Sequence, residues 1–449
     1  MQLECDVCIV GAGYAGLTAA RRLAQAGKSV VVLEARDRVG GRIWTYELPD
    51  GTTLDRGGAW IGPKHDAILA LAQEMGVTTH KTWVSGAHLL IGEGRTRRYT
   101  GLIPKISPLA VLSLAFANWK INRMARQVPL GAPWTAPRAA EWDERSVAWL
   151  FEHSGVRTSI ARDLFGSALR GLMTCDLSEV SLLHLLYLSH AHGSIDTLFS
   201  IENGAQENLV HGGAGEVARR VADELGTAVH LNTPVRAITQ RGDRVLVAGD
   251  ALTVTARHAV VTVPPALALE IAFDPPLPED RKALYRNAIG GHATKTIVVY
   301  DQPFWRGDGF RGQTAEPGSP VELTIDASKP SGGPGIMVVF TFGPNAVRAA
   351  QLDAGVRRKT VLEGLAARFG SRAAKPAEYV ETSWWTEEWT RGCSMAHFTP
   401  GTLTRYGHLL REPFARVHWA GTETATVSHG AIDGAVRSGE RAAAEILAR

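Results

Sequence analysis

The stretch Cys5–Gly27 constrains this chain more than any other. It runs CDVCIV, then GAGYAG, then LTAARRLAQAG. The apolar run Val7–Val10 is short and β-branched, as suits a strand buried on both faces of a parallel sheet. Gly11, Gly13 and Gly16 follow at G-x-G-x-x-G spacing. The first permits a tight turn, the second lets the backbone approach a pyrophosphate, and the third lets the next helix pack close to the strand. That helix offers free N–H groups and a partial positive charge to phosphates. A second strand, SVVVLEA, brings Glu34 to about 20 residues past the glycines, where a ribose-binding acid belongs. Strand, turn, helix, strand and acid in this order predict a dinucleotide-binding unit in a Rossmann-like α/β sheet.

Two more glycine turns follow. VGGR carries Gly40, Gly41 and Arg42, and a guanidinium there would neutralise a pyrophosphate that the first loop only cradles. LDRGGAWIG then carries Gly57, Gly58, Ala59 and Trp60. Three such turns exceed the needs of a nicotinamide dinucleotide. They point to a longer cofactor laid across the domain, FAD, with its ring system reaching the third turn.

At 449 residues the chain has room for two domains and a large core. The net charge of +3 is too small to argue for nucleic acid. Glu4 and Asp6 precede the first glycine turn and leave no place for a secretory leader. No apolar run approaches the ~20 residues of a membrane span, and no C-terminal anchor is expected after the last amphipathic helix. PLAVLSLAFANW is read as a core helix rather than a surface-seeking one. Cys5, Cys8, Cys175 and Cys393 make no disulfide framework. Cys5 and Cys8 sit in a strand, where residues three apart face opposite sides, so they are read as small buried groups. A reducing, cytoplasmic setting is the expectation.

From about His65 to Asn203 the pattern is helical, with proline-rich connectors, and is expected to roof a substrate cavity. VRAITQRGDRVLVAGDALTVTARHAVV alternates as strands with tight turns. TKTIVVY reads as a strand, and VELTID, GIMVVFTFG and YVETSWW supply the strands of a second sheet. The fifteen histidines show no H-E-x-x-H spacing, and no Ser-His-Asp pattern competes with a flavin reading.

GAGYAG, Glu34, VGGR and RGGAWIG, together with AGTETA near the C-terminus, resemble the flavin-containing amine oxidases, above all a soluble bacterial member of the monoamine oxidase branch. The resemblance implies a two-domain fold. A discontinuous FAD-binding domain of glutathione reductase type would comprise 1–78, 205–285 and 391–449. A substrate domain of mixed sheet and helices would comprise 79–204 and 286–390. It implies that Gly11, Gly13, Gly16, Glu34, Arg36, Gly41, Arg42, Gly58, Ala59, Trp60, Val235, Gly421, Thr422 and Glu423 serve the cofactor. A helix starting near Ala431 would stabilise negative charge on the flavin. Lys295 matches a family lysine that holds a water near flavin N(5), and Trp384 a tryptophan stacked nearby. Leu172, Phe199, Ile201, Gln206, Leu323 and Phe340 match cavity positions.

Two departures stand out. Cys393 falls where monoamine oxidases bond covalently to the flavin. A thioether and an inert thiol beside the ring both remain open, since attack needs a thiolate. Ser394 and Ala431 fall where those enzymes place two facing tyrosines, so the cavity should be wider near the ring. The expectation is an FAD-dependent amine oxidase that turns the C–H next to nitrogen into an imine while dioxygen becomes hydrogen peroxide. Its substrate would be bulkier or more polar than a simple arylalkylamine. A desaturase or dehydrogenase using another acceptor is the alternative, and the resemblance also allows a homodimer.

Overall fold

The computed structural model describes residues 1–101 and 104–449. β1 (Gln2–Val10) lies inside an eight-stranded sheet, parallel to β2 (Val30–Leu33) on one side and to Thr253–Val261 on the other. Val7, Cys8, Ile9 and Val10 are all buried, and each such side chain stabilises the fold by about 1.5–3 kcal/mol. Cys5 and Cys8 are buried free thiols. The sheet continues through the antiparallel strands Arg244–Gly249 and Val235–Arg241, and Val417–Trp419 pairs parallel to the end of Thr253–Val261.

α1 (Tyr14–Gln25) leaves the first glycine turn and crosses the sheet. A Cβ at Gly16 would stand 1.9 Å from the carbonyl oxygen of Gly11, so only glycine lets α1 begin so close to β1. The C-terminal helix, Ile432–Leu447, packs across α1 by the same device. A Cβ at its Gly439 would stand 2.3 Å from the carbonyl oxygen of Ala15.

The second sheet has seven strands, in the order Glu378–Ser383, Ala293–Tyr300, Gly335–Phe342, Leu323–Asp326, Phe310–Ala315, Ala87–Gly92 and Arg95–Tyr99. Its last two strands correct the sequence reading, which took this region as helical. His88 pairs with Tyr99 across a turn through Glu93 and Gly94, both at positive φ. The dipeptide Glu93-Gly94 was the available signal. Helices fill the space between 108 and 199, with Leu182–Ala191 buried among them.

The stretch read as a core helix is longer than expected and lies on the surface. Pro108–Ala125 is capped by Ser107, whose side chain accepts from the Ala110 N–H. Ala110, Ala117, Ile121 and Ala125 are buried. Leu109, Leu112, Phe116 and Trp119 are exposed, by 65%, 67%, 54% and 49%. The helix is apolar on two opposite sides, so hydrophobicity alone does not say which side is covered.

The helix contact yields a test. Replacing Gly439 by alanine raises helix propensity by about 1 kcal/mol, yet it should destabilise the protein by about 1–3 kcal/mol through overpacking. Urea unfolding reads the sign, and a stabilised variant would mean that the two helices do not touch as described.

Candidate active site

One cavity of about 620 Å³ lies between the two sheets. Its floor is a single face of the seven-stranded sheet. Lys295 pairs in register with Phe340, Phe340 with Leu323, and Leu323 with Ala315, so four strands present a row of side chains to the cavity. Two residues along, Ala293, Phe342, Ile325 and Gln313 extend the same wall. The period of two in these strands makes the floor, since alternate residues share a face.

The opposite wall is backbone-rich. Gly11, Gly13, Glu34, Arg36, Gly41, Arg42, Gly58, Ala59, Trp60, Val235, Gly421 and Thr422 line it. Glu34 follows β2, and its carboxylate accepts from the Ala12 N–H at 2.7 Å and the Arg36 N–H at 3.0 Å. The acid thus fixes the first glycine turn as well as facing the cavity. α1 and the C-terminal helix both point their N-termini here, with Gly13 and Ala431 as caps. Neither cap makes a side-chain hydrogen bond to its helix. Uncapped N–H groups on two helices, beside glycines that expose backbone, suit an elongated anionic dinucleotide.

Arg42, expected to neutralise a pyrophosphate, already has a partner. It donates to both carboxylate oxygens of Glu423, at 2.6 and 3.0 Å, and to the Ser394 carbonyl. Burial opposes the charge on Glu423, but the Arg42 guanidinium and the Ala396 N–H hold it ionised, down to about 2. Glu423 and Gly16 shape the site from behind and do not reach the cavity wall.

Lys295 is 5% exposed. Its Nζ donates to the carbonyls of Asp55, at 2.5 Å, and Gly57, at 2.9 Å, in the third glycine turn. Burial pushes it down to about 8, against the pull of Asp55 and Cys393. Trp384 holds the carbonyl between them, donating from Nε1 to Arg56 at 2.9 Å. Cys393 lines the cavity, and burial pushes its thiol up to about 11 although Arg42 and Lys295 draw it down.

Leu172, Phe199, Ile201, Gln206, Ser394 and Ala431 all line the same cavity, so the structure brings these residues together with the floor row and the glycine wall. Two polar residues were missed. Glu322, 2% exposed, accepts from the Phe342 N–H at 2.9 Å and from Asn345 at 2.8 Å. Burial raises its pKa against the pull of the Arg170 guanidinium. Gln313 has a buried carbonyl oxygen without a partner among the described residues. Glu322 precedes an apolar strand, and an acid there was the signal.

A family model described as flavin containing amine oxidoreductase matches residues 14–447. The chain is 42% identical, over 99% of its length and 96% of the relative's, to a Mycobacterium tuberculosis protein named as flavin-containing monoamine oxidase AofH. It is 38% identical to dog flavin-containing amine oxidase B, over 100% of this chain and 87% of that one. Among solved structures, putrescine oxidase bound to putrescine superposes with a TM-score of 0.95 at 34% identity, covering 100% of both chains. Cyclohexylamine oxidase from Brevibacterium oxydans gives 0.94 at 32%, covering 99% of this chain and 100% of that one.

The Arg42–Glu423 pair generates a prediction. Glu423→Gln leaves a largely buried guanidinium unmatched and should cost about 3 kcal/mol of stability. In the parent chain the depressed carboxylate contributes fully above its unfolded value. That contribution is lost as pH falls through about 2. Chemical unfolding from neutral pH downward should show the parent's advantage over the variant shrinking with acid. An advantage independent of pH would separate the pair from stability.

Proposed function

The chain belongs to the flavin-containing amine oxidoreductases, enzymes that oxidise amines with FAD in a two-domain fold, and from that premise we propose the reaction and its actors. The C–H bond next to an amine nitrogen is oxidised to an imine, and dioxygen receives the electrons as hydrogen peroxide. Bound FAD supplies the two-electron acceptor, while the chain positions, desolvates and tunes. The segments 1–78, 205–285 and 391–449 form the FAD-binding part, and 79–204 with 286–390 the substrate part.

The observation that carries this reading is Lys295. An ammonium has three protons to donate, and two carbonyls take two of them. The third remains for a water in the cavity. The charge beside it favours the anions that dioxygen forms as it takes electrons. Gly11, Gly13, Glu34, Arg36, Gly41, Arg42, Gly58, Ala59, Trp60, Val235, Gly421 and Thr422 hold the cofactor, and Trp384 keeps the third turn and Lys295 in register. Gly16 and Glu423 support that set from behind. The C-terminal helix, from Ala431, supports negative charge on the flavin. Covalent attachment through Cys393 needs its thiolate, whose share falls about tenfold per pH unit below the thiol's pKa.

The substrate is an amine bulkier or more polar than a simple arylalkylamine. Ser394 and Ala431 build no aromatic wall, and Glu322 with Gln313 places a polar patch among the apolar side chains of the sheet floor. A buried carboxylate with only the more distant charge of Arg170 acting on it suits a second ammonium or hydroxyl on the substrate. The putrescine oxidase relative, bound to a diamine, supports this reading.

Anaerobic bleaching of the flavin band by a panel of monoamines, diamines and amino alcohols tests the substrate class. Glu322→Leu should lower the bleaching rate with a diamine by about 10–100-fold and spare a monoamine of equal length. Equal losses with both would remove Glu322 from recognition. Admitting air tests the oxidant. Reoxidation should slow as pH rises through about 8, where Lys295 loses its proton. In Lys295→Met it should be roughly tenfold slower or more and flat with pH. Bleached protein that air does not reoxidise would favour the dehydrogenase reading.

A further inference from the structure

The helix Pro108–Ala125 carries two stripes. On a helix each residue turns about 100°. Ala110, Ala117, Ile121 and Ala125 then cluster on one side, and these are the buried ones. Leu109, Leu112, Phe116 and Trp119 share the opposite side, within about 80° of arc. The exposed arginines Arg123 and Arg126 continue that same stripe toward the C-terminus. Phe116 and Trp119 stack at 5.6 Å, and Arg123 lies 5.3 Å from the Trp119 ring. The outer face is therefore an apolar, aromatic strip closed by two cations.

We propose that this outer face docks on an anionic lipid bilayer, with the helix lying in the plane of the headgroups. At 18 residues it spans about 27 Å, and no described helix is long and apolar enough to cross a membrane. Leucine and phenylalanine would enter the acyl boundary, tryptophan would sit at the headgroup level, and the arginines would reach the phosphates.

Charge selects the occupant. From Gly94 to Ala140 the sequence has no aspartate or glutamate, while Lys105, Lys120, Arg123 and Arg126 flank or belong to the helix. The nearby acids have partners. Asp196 accepts from Asn118 at 2.8 Å and Asn122 at 2.7 Å, and Glu152 pairs with Arg162. A second copy docking here would set its own Lys105 or arginines against these cations. An anionic surface meets the strip and the cations together. The asparagine contacts also fasten the helix to Ile195–Phe199, whose Leu198 and Phe199 line the cavity. The docked face and the substrate cavity thus share one rigid connection.

Co-sedimentation of the full-length holoenzyme with vesicles tests this. Vesicles of equal phosphatidylcholine and phosphatidylglycerol should retain the protein at low salt, and phosphatidylcholine alone should retain at least tenfold less. Leu112→Ser/Phe116→Ser/Trp119→Ser changes only exposed side chains. It should lose at least tenfold in binding while its circular dichroism and amine bleaching stay unchanged. Arg123→Glu/Arg126→Glu should lose the preference for anionic vesicles. Parent protein that stays in the supernatant, or triple-variant protein that binds as well as the parent, would overturn the proposal. So would a parent dimer that the triple substitution makes monomeric without any vesicle binding.

Discussion

Three successive carbonyls hold this molecule's working parts together. Asp55, Arg56 and Gly57 lie in the third glycine turn, which belongs to the wall beside the eight-stranded sheet. Their donors come from the seven-stranded sheet or its end: Lys295 to the first and third, Trp384 to the second. Buried backbone carbonyls need donors, and no water is required to supply them here. Arg56 returns the contact, donating from Nε to Thr382 at 3.0 Å. Gly57 has no freedom in this arrangement, since a Cβ would stand 2.1 Å from the Arg42 carbonyl oxygen and 2.9 Å from Trp384. Lys295 thus joins the two halves of the cavity.

That joint explains the unequal make-up of the two walls. The glycine wall presents backbone and helix ends, the groups that bind phosphate and ribose. The sheet wall presents side chains in register. Arg42 and Glu423 close a gap behind the first wall as a matched pair, so little net charge remains where a cofactor carries its own. On the second wall Glu322 is buried among the side chains of the floor row.

Much of this was legible in the chain. G-x-G-x-x-G with Glu34 specified β1, α1 and β2, because Gly11 adopts a positive φ of 102° and a Cβ at Gly16 would strike the Gly11 carbonyl. TKTIVVY, VELTID and GIMVVFTFG were legible as strands and the family resemblance pointed to Lys295, Leu323 and Phe340, but only the strand register shows that they share one face. The strands Ala87–Gly92 and Arg95–Tyr99 were hidden by the helical pattern around them, although Glu93-Gly94 marked their turn. Pro108–Ala125 was misread because apolar residues on both sides of a helix give no direction. Glu322 was missed because a lone acid beside a strand reads as a surface residue until the fold buries it. The Arg42–Glu423 pair joins residues far apart in sequence, and no local pattern announces such a pair.

Both ends of the chain meet at the cavity. Gly11–Ala15 open its wall, and Gly421–Ala435 complete it with the strand Val417–Trp419 and the C-terminal helix. A ribosome adding about 5–20 residues per second would leave α1 uncovered for roughly 20–80 seconds. Through that interval the close seat for Gly439 has no occupant, and the edge of Thr253–Val261 has no neighbour at its end. The wall of the cavity is therefore completed only once residues 421–435 have been made.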